Sequence, residues 1–509
     1  MRRRNTGPIL PGQFQCIYPG ATERIQISDK GLLKTQAYVD GEWIDADGGE
    51  TFPIYNPATG EVLVDVAKCG TAETQRAIEA ADRAMVSWSA KTAKERSIIL
   101  RTWFNLLMEH QEDLARILTA EMGKPLAEAR GEIAYGASYV EWYAEEGKRA
   151  YGDTIPQASN DKRVVVIKQP VGVVACISPW NWPNAMLIRK VAPALASGCT
   201  VVCKPANETP LSAFAFTELA TRAGVPAGVI NIVAGVTREI GAEMTSSPTV
   251  RKLSFTGSTQ VGKLLIEQCA ATVKRTSMEL GGNAPFIVFD DADIDSAVHG
   301  TMMSKFRNAG QTCVCTNRIL VQENIYDEFT EKLVAAMANL KIGNGADEGV
   351  TVGPLINKGA ANDVLDFVTD AVDKGATVAA GGKASDLGPC FLEPTILTNV
   401  SDDMRVFREE IFGPIAPIFK FKTEEEAVAM ANDTEYGLAC YFYTRDIGRV
   451  WRVGEALEYG MVGINDGIVS NEAAPFGGIK ESGQGREGSK YGLDDYLEIK
   501  YLCMGGIDK

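Results

Sequence analysis

Between residues 171 and about 270, short apolar runs alternate with helix-length segments, and few architectures accept that rhythm. "VGVVACISPW" reads as a strand and "NAMLIRKVAPALASG" as a helix ending at a glycine stop. "TVVCKP" is a second strand and "LSAFAFTELATRAG" a second helix. "GVINIVAG", a helix near 237–246, "RKLSFTG" and a helix from "STQVGKLLIEQ" continue the series. Strands apolar on both faces, each followed by a helix, predict a parallel sheet covered by helices. A second alternating series starts at "PFIVFD" and runs to about residue 480. Two further strands, "KRVVVIKQPVG" at 162–172 and the tail "YLEIKYLCM", have no partner in the neighbouring series, so they are expected to pair with each other, away from both sheets.

Upstream, "AYVDGEWIDA" and "TFPIYNPATGEVL" read as strands joined by turns. Ile78, Ala81, Met85 and Trp88 recur at spacings of three and four, an amphipathic helix, and similar helices are expected over 92–150. The first 35 or so residues lack periodicity and read as an irregular extension. A chain of 509 residues is long for one core and predicts two or three domains.

Composition prunes the function classes. A net charge of −15 makes a nucleic-acid-binding face improbable. No apolar run approaches the roughly 20 residues that span a bilayer. "MRRRNTGPIL" is basic but has no apolar signal core after it, which argues against secretion and leaves an organelle transit peptide open. Eleven cysteines, an odd number spread along the chain, suggest free thiols in a reducing compartment: the cytoplasm, or the mitochondrial matrix in a eukaryote. The two histidines, His110 and His299, both fall in helical patterns. A Cys-His or Ser-His nucleophile pair is therefore unlikely to be supplied, and "CTVVC" looks more like a strand than a zinc ligand pair; no metal site is expected.

Nucleotides bind beyond the carboxyl ends of parallel strands, where loops enter helix N-termini. Three such loops stand out: "SPWNWPN", "KPANETP" and "FTGSTQVG". Gly257 and Ser258 precede a helix whose amides suit a pyrophosphate, although Gly and Ser also serve as ordinary caps. Lys204 is a cation at a strand end, suited to ribose or phosphate or simply solvated. Glu279 in "SMELGGN" lies among apolar neighbours that could raise its pKa and make it a base. "NAGQTCVCTNR" sets Cys313 and Cys315 one residue apart, and each is a reactive thiol or a small buried hydrophobe.

In order along the chain, "PWNWP", "KPA", "FTGST", "MELGG", "GQTC" and "EEIFGP" make the sequence from Trp43 to the C-terminus resemble the aldehyde dehydrogenase superfamily. The resemblance implies an α/β fold: a Rossmann-type parallel-sheet cofactor domain, an α/β catalytic domain and a small β bridging domain that joins subunits into a dimer or tetramer. On it, residues 37–149 and 171–280 are assigned to cofactor binding, 281–487 to catalysis, 150–170 and 488–509 to bridging, and 1–36 to the extension. It further implies Cys313 as nucleophile, with Asn181 and the Cys313 backbone amide as oxyanion donors and Glu279 as the base for hydrolysis. An ordinary thiol pKa is about 8.5, so without histidine the thiol is activated by nicotinamide charge, backbone dipoles or Glu279 through water. Trp180, Lys204, Asn207, Gly257, Ser258, Glu410 and Phe412 match cofactor positions. NAD-preferring relatives often carry Glu where this chain has Asn207, which leaves a 2′-phosphate unrepelled, so NADP or NAD is expected.

Arg307 lies six residues before Cys313, and Arg189 eight after Asn181, about two helical turns on. Arginines at both positions, with Ser470, resemble the succinate-semialdehyde dehydrogenase branch, where they hold the substrate carboxylate. The expected reaction is oxidation of succinate semialdehyde to succinate through a thiohemiacetal and a thioester. Glutarate semialdehyde, one carbon longer, is the alternative; a histidine-free thiol hydrolase or a non-catalytic protein on the same fold would leave the nucleotide loops or the intact Cys313, Glu279 and Asn181 without a role. Cys315 is expected either to trap Cys313 in a strained, reducible disulfide or to be a buried neighbour that leaves Cys313 to form sulfenic acid.

Overall fold

A computed structural model describes residues 25–507. Five parallel strands form the centre of the first sheet: Val173–Ile177, Thr200–Lys204, Ile230–Ile232, Val250–Thr256 and Arg275–Glu279. Their order in space is Arg275–Glu279, Val250–Thr256, Val173–Ile177, Thr200–Lys204, Ile230–Ile232, so the chain starts in the middle and winds outward both ways. Strands Val173–Ile177 and Thr200–Lys204 are buried except at Ile177, as their runs of valine, cysteine and alanine require. The order reverses between Val173–Ile177 and Val250–Thr256, and a ligand crevice opens at the carboxyl ends of strands flanking such a reversal.

The same sheet extends through Ala37–Val39 and Glu42–Ile44 on one side and through Gly483–Gln484 on the other. This last strand returns from the far end of the chain and pairs antiparallel beside Glu279. Helix Ala185–Ser197, wholly buried, ends where Gly198 takes φ +96°, the stop its sequence announced. His110 differs from expectation: it sits at the junction of helices Ala93–Glu109 and Gln111–Met122 rather than within one, with a ring nitrogen 4.0 Å from Asp29.

The second sheet has seven strands, in the order Thr377–Ala380, Thr395–Thr398, Ile415–Phe421, Thr316–Gln322, Ala284–Val288, Ala439–Tyr443, Met461–Ile464. All its pairings are parallel except the outermost, between Thr377–Ala380 and Thr395–Thr398. Lys162–Pro170 and Leu497–Gly505 pair with each other over their full length, Leu497 opposite Pro170 and Gly505 opposite Lys162. Asp153–Ile155 adds a third strand. Residues 488–496 do not share this arm: helix Ser489–Asp494 packs on helices Leu126–Glu146 and Ala185–Ser197. Among the described residues no helix is long and apolar enough to cross a membrane, and no group of three or more His, Cys, Asp or Glu is placed to hold a metal ion.

Candidate active site

Cys313 lies in the turn between the short helix Arg307–Gly310 and strand Thr316–Gln322. The chain enters this turn through Asn308 and Ala309, both at φ +53°, a left-handed conformation that non-glycine residues seldom adopt. Gly282 lets the turn approach the first sheet: a Cβ there would lie 2.5 Å from the Cys313 carbonyl oxygen. That explains Gly282, the second glycine of the pair that follows Leu280.

Cys313 opens on a cavity of about 220 Å³ whose lining includes Arg189, Arg307, Ser470, Tyr135, Trp182 and Phe476. The residue expected to be the nucleophile and the three expected to hold a carboxylate thus line one cavity. Burial pushes the Cys313 thiol up to about 12, against the lowering field of Arg189; Glu410 and Glu279 raise it further. The Cys313 backbone amide points at its own sulfur and favours the thiolate.

Asn181 and Glu279 adjoin the cavity without lining it. The Asn181 Nδ2 donates to the Gln311 carbonyl at 2.9 Å, which engages one of its two N–H groups. Glu279, the last residue of its strand, stands level with Thr256 at the crevice. Both its carboxyl oxygens are buried without a hydrogen bond among the described residues. Desolvation first, then the charge of Glu487, holds its pKa well above the usual carboxylate range. The direction is the one its apolar surroundings in the sequence suggested.

The two arginines differ. Arg307 is half-buried, lies over the Trp182 ring at 5.0 Å, and among the described residues makes no ion pair. Arg189 is fully buried, forms an ion pair with Glu487 and lies 4.3 Å from the Phe476 ring centre. Lys190 takes the other Glu487 oxygen at 2.5 Å. Glu487 keeps its carboxyl below the usual range despite burial, because Arg189 and Lys190 outweigh desolvation. Nothing in the sequence singled out Glu487, the final residue of "PFGGIKESGQGRE". Its partner Lys190 is 297 residues away, and only the return of Gly483–Gln484 to the first sheet brings them together.

At the crevice, Ser178 and Thr256 close the two strands that flank the reversal, and both hydroxyls are buried with no partner among the described residues. Lys204 approaches Asn207 Oδ1 at 3.4 Å, and Asn207 Nδ2 donates to the Gly235 carbonyl at 2.7 Å. Burial brings Lys204 down to about 8. Gly257 donates to the Glu279 carbonyl at 3.0 Å. Ser258 caps helix Thr259–Ala270 through Val261 N at 3.4 Å, so its hydroxyl serves the cap. Glu410 accepts from Gly282 N at 3.1 Å and is raised by burial to about 7. Phe412, at φ +50°, stands edge-on to Trp180 at 5.5 Å. Unsatisfied buried hydroxyls, a lysine and an open helix start form a set suited to a dinucleotide. Cys315 is buried, and its sulfur faces the Lys305 carbonyl at 3.4 Å.

With this geometry in place, residues 43–502 match the aldehyde dehydrogenase family, and the chain belongs to it. It is 62% identical over 481 residues to the NADP(+) succinate-semialdehyde dehydrogenase GabD of Escherichia coli (strain K12), covering 94% of this chain and 100% of that protein. It is 61% identical to a glutarate-semialdehyde dehydrogenase of Pseudomonas aeruginosa, covering 95% of this chain and 100% of that one. The crystal structure of a succinate-semialdehyde dehydrogenase from Burkholderia pseudomallei superposes with a TM-score of 0.94 at 61% identity, over 94% of this chain and 100% of that one.

Proposed function

We propose that the protein oxidises succinate semialdehyde to succinate with NADP or NAD. The observation that carries this reading is the sharing of one cavity by the Cys313 thiol, the Arg307 and Arg189 guanidiniums and the Ser470 hydroxyl. A dianionic product calls for cations in the site, and the cavity lining supplies Arg189 and Arg307 within a chain of net charge −15. Trp180, Lys204, Asn207, Gly257, Ser258, Glu410 and Phe412 hold the cofactor, whose nicotinamide, when bound, supplies the hydride acceptor. Asn207 bears no charge that would repel a 2′-phosphate, which agrees with the E. coli relative's NADP(+).

The residues act in sequence. Cys313 gives up its proton to solvent under the field of Arg189, the thiolate adds to the aldehyde carbon, and the resulting oxyanion takes hydrogen bonds from the free N–H of Asn181 and the Cys313 amide. As the carbonyl re-forms a thioester is left on Cys313, and the cofactor held by the residues named above would supply the acceptor for the hydride released from that carbon. Glu279, once deprotonated, takes a proton from water as it attacks the thioester, and the thiolate leaves with the acid formed. The Arg189–Glu487–Lys190 group adjusts the charge around Glu279 throughout.

The Pseudomonas relative supports a second reading, glutarate semialdehyde, at the same site. The exposed apolar residues of the three-stranded arm, Ile499 and Tyr501 among them, support its role as a bridge in a homodimer or homotetramer. The place of action we infer is the cytoplasm, or the mitochondrial matrix in a eukaryote. The test is direct: mix the protein with each cofactor and with succinate semialdehyde, glutarate semialdehyde or butanal, and follow reduced nicotinamide. The highest kcat/KM is expected for succinate semialdehyde; a preference for butanal overturns the reading.

A further inference from the structure

Three ionisable side chains take no part in the steps above: Lys124 and Glu132, both buried, and Glu128, which is half-buried and lines the cavity. Glu128 and Glu132 are four residues apart on one face of helix Leu126–Glu146, and Lys124 stands just before that helix. The Lys124 Nζ is 2.6 Å from Glu132 Oε2, 2.9 Å from the Asn181 carbonyl oxygen and 3.9 Å from the Trp182 ring centre. The other Glu132 oxygen accepts from the Asn184 and Ala185 amides at 2.9 and 3.2 Å, the start of helix Ala185–Ser197. Lys124 and Glu132 side chains are wholly buried.

Glu128 grips the opposite wall. Its Oε2 accepts from Asn308 N at 2.8 Å, at the left-handed entry to the cysteine turn. Asn308 Nδ2 then bridges the two walls, 3.0 Å from the Asn181 carbonyl and 3.1 Å from that of Gln311. One helix face therefore anchors both sides of the site, and it does so through direction-specific contacts.

We propose that Lys124, Glu128 and Glu132 are positioning residues, a clamp that aims the Asn181 side-chain amide and the Cys313 backbone amide at the developing oxyanion. A buried ion pair adds little net stability compared with apolar residues of the same volume. Its use here lies in geometry: oxyanion donors act only when held at the place where charge develops. The inference rests on the assignment of Asn181 and Cys313 as oxyanion donors.

Two reactions of Cys313 separate aiming from general damage. In alkylation by iodoacetamide, sulfur displaces iodide from carbon and no oxyanion forms. In acylation by p-nitrophenyl acetate, sulfur adds to the carbonyl, an oxyanion develops, and p-nitrophenolate leaves. Lys124→Met should slow acylation by about tenfold to hundredfold, while alkylation changes by less than about threefold. Glu132→Gln keeps the shape of the site and serves if the methionine variant does not fold; it should slow acylation by about threefold to tenfold. Equal slowing of both reactions, or of neither, overturns the clamp. Asn181→Ala, assayed beside them, should slow acylation alone. If it slows acylation while the clamp variants do not, the clamp fails and the donor assignment stands; if it leaves acylation unchanged, the donor assignment fails and the clamp falls with it.

Discussion

The inner wall of the active-site cavity and its Arg307 side carry the same charge by different means. At the inner wall, Arg189 and Lys190 are buried and share the Glu487 carboxylate. At the other side, Arg307 is half-buried, lies over the Trp182 ring and, among the described residues, makes no ion pair, though its charge acts on the Glu128 carboxyl. A cation already paired with a buried carboxylate sets the field for its neighbours, above all Glu279. A cation without one is free to meet a substrate carboxylate. The sequence treated the two arginines as equivalent; in the structure Arg189 is paired with a buried carboxylate, and Arg307 is in no ion pair among the described residues.

The largest expected effects fall on the chemistry both regions surround. Cys313→Ala should abolish formation of reduced cofactor. Glu279→Gln keeps the shape of the side chain and should still give a burst of about one reduced cofactor per active subunit. Steady-state turnover should then fall on the order of 10²–10⁴, because deacylation lacks its base. Equal loss of burst and steady state contradicts the assignment. The pH profile follows the same logic. A raised carboxyl pKa delays the appearance of the base form, so deacylation in the wild type should climb with pH above the usual carboxylate range of about 4.3. Glu487→Gln removes the negative charge that raises Glu279, and the climb should move to lower pH; a shift upward breaks the proposed coupling.

Next come the arginines themselves. A hydrogen bond to a charged group contributes about 1.5–3 kcal/mol. Arg307→Met should accordingly lower kcat/KM for succinate semialdehyde by about tenfold to hundredfold and leave butanal nearly unaffected. Arg189→Met should weaken both aldehydes, because it also strips Glu487 of a partner. Its stability loss, read by denaturant titration, should sit at the lower end of the roughly 3–5 kcal/mol for a broken buried pair, since Lys190 still holds Glu487. The same selective profile in both variants would erase the distinction between the regions.

This division explains what the sequence showed and what it hid. The parallel sheets were legible because strands buried on both faces must be apolar along their whole length, as in Val173–Ile177. The glycine stop after Ser197 and the turn around Cys313 were legible for similar local reasons. Buried charge was not. Lys124, Glu128, Glu132 and Glu487 look in sequence like ordinary solvated residues, with helical spacing for two of them. What marks them as interior is a partner far along the chain: Lys124 meets the Asn181 carbonyl 57 positions on, and Glu128 meets Asn308 across 180. Periodicity reports burial of apolar faces and is silent about ions that neutralise each other inside.

A smaller effect is expected at the adenosine end of the crevice. Asn207 is fixed to Gly235 and Lys204 by its side chain, so a glutamate placed there would hold its charge near a 2′-phosphate. Asn207→Glu should raise the KM for NADP by about tenfold and leave that for NAD within about twofold. Parallel changes for both cofactors would place the 2′-position elsewhere.

The smallest difference concerns Cys315. A disulfide requires Cα atoms within about 4.4–6.8 Å and side chains that converge. Here the Cys315 sulfur is buried and turns to the Lys305 carbonyl. Cys313 faces the cavity, where peroxide can reach it. Peroxide should therefore convert Cys313 to sulfenic acid, and dithiothreitol should restore activity until further oxidation makes the loss permanent. Cys315→Ala should match the wild type in both rates within about twofold. The competing outcome is the strained disulfide: full recovery in the wild type, irreversible loss in the variant, and a mass loss of two hydrogens in the peptide carrying both cysteines. That result would mean the turn bends far enough to bring the two sulfurs together, and that the contacts of Asn308 and Ala309 hold it less tightly than their geometry implies.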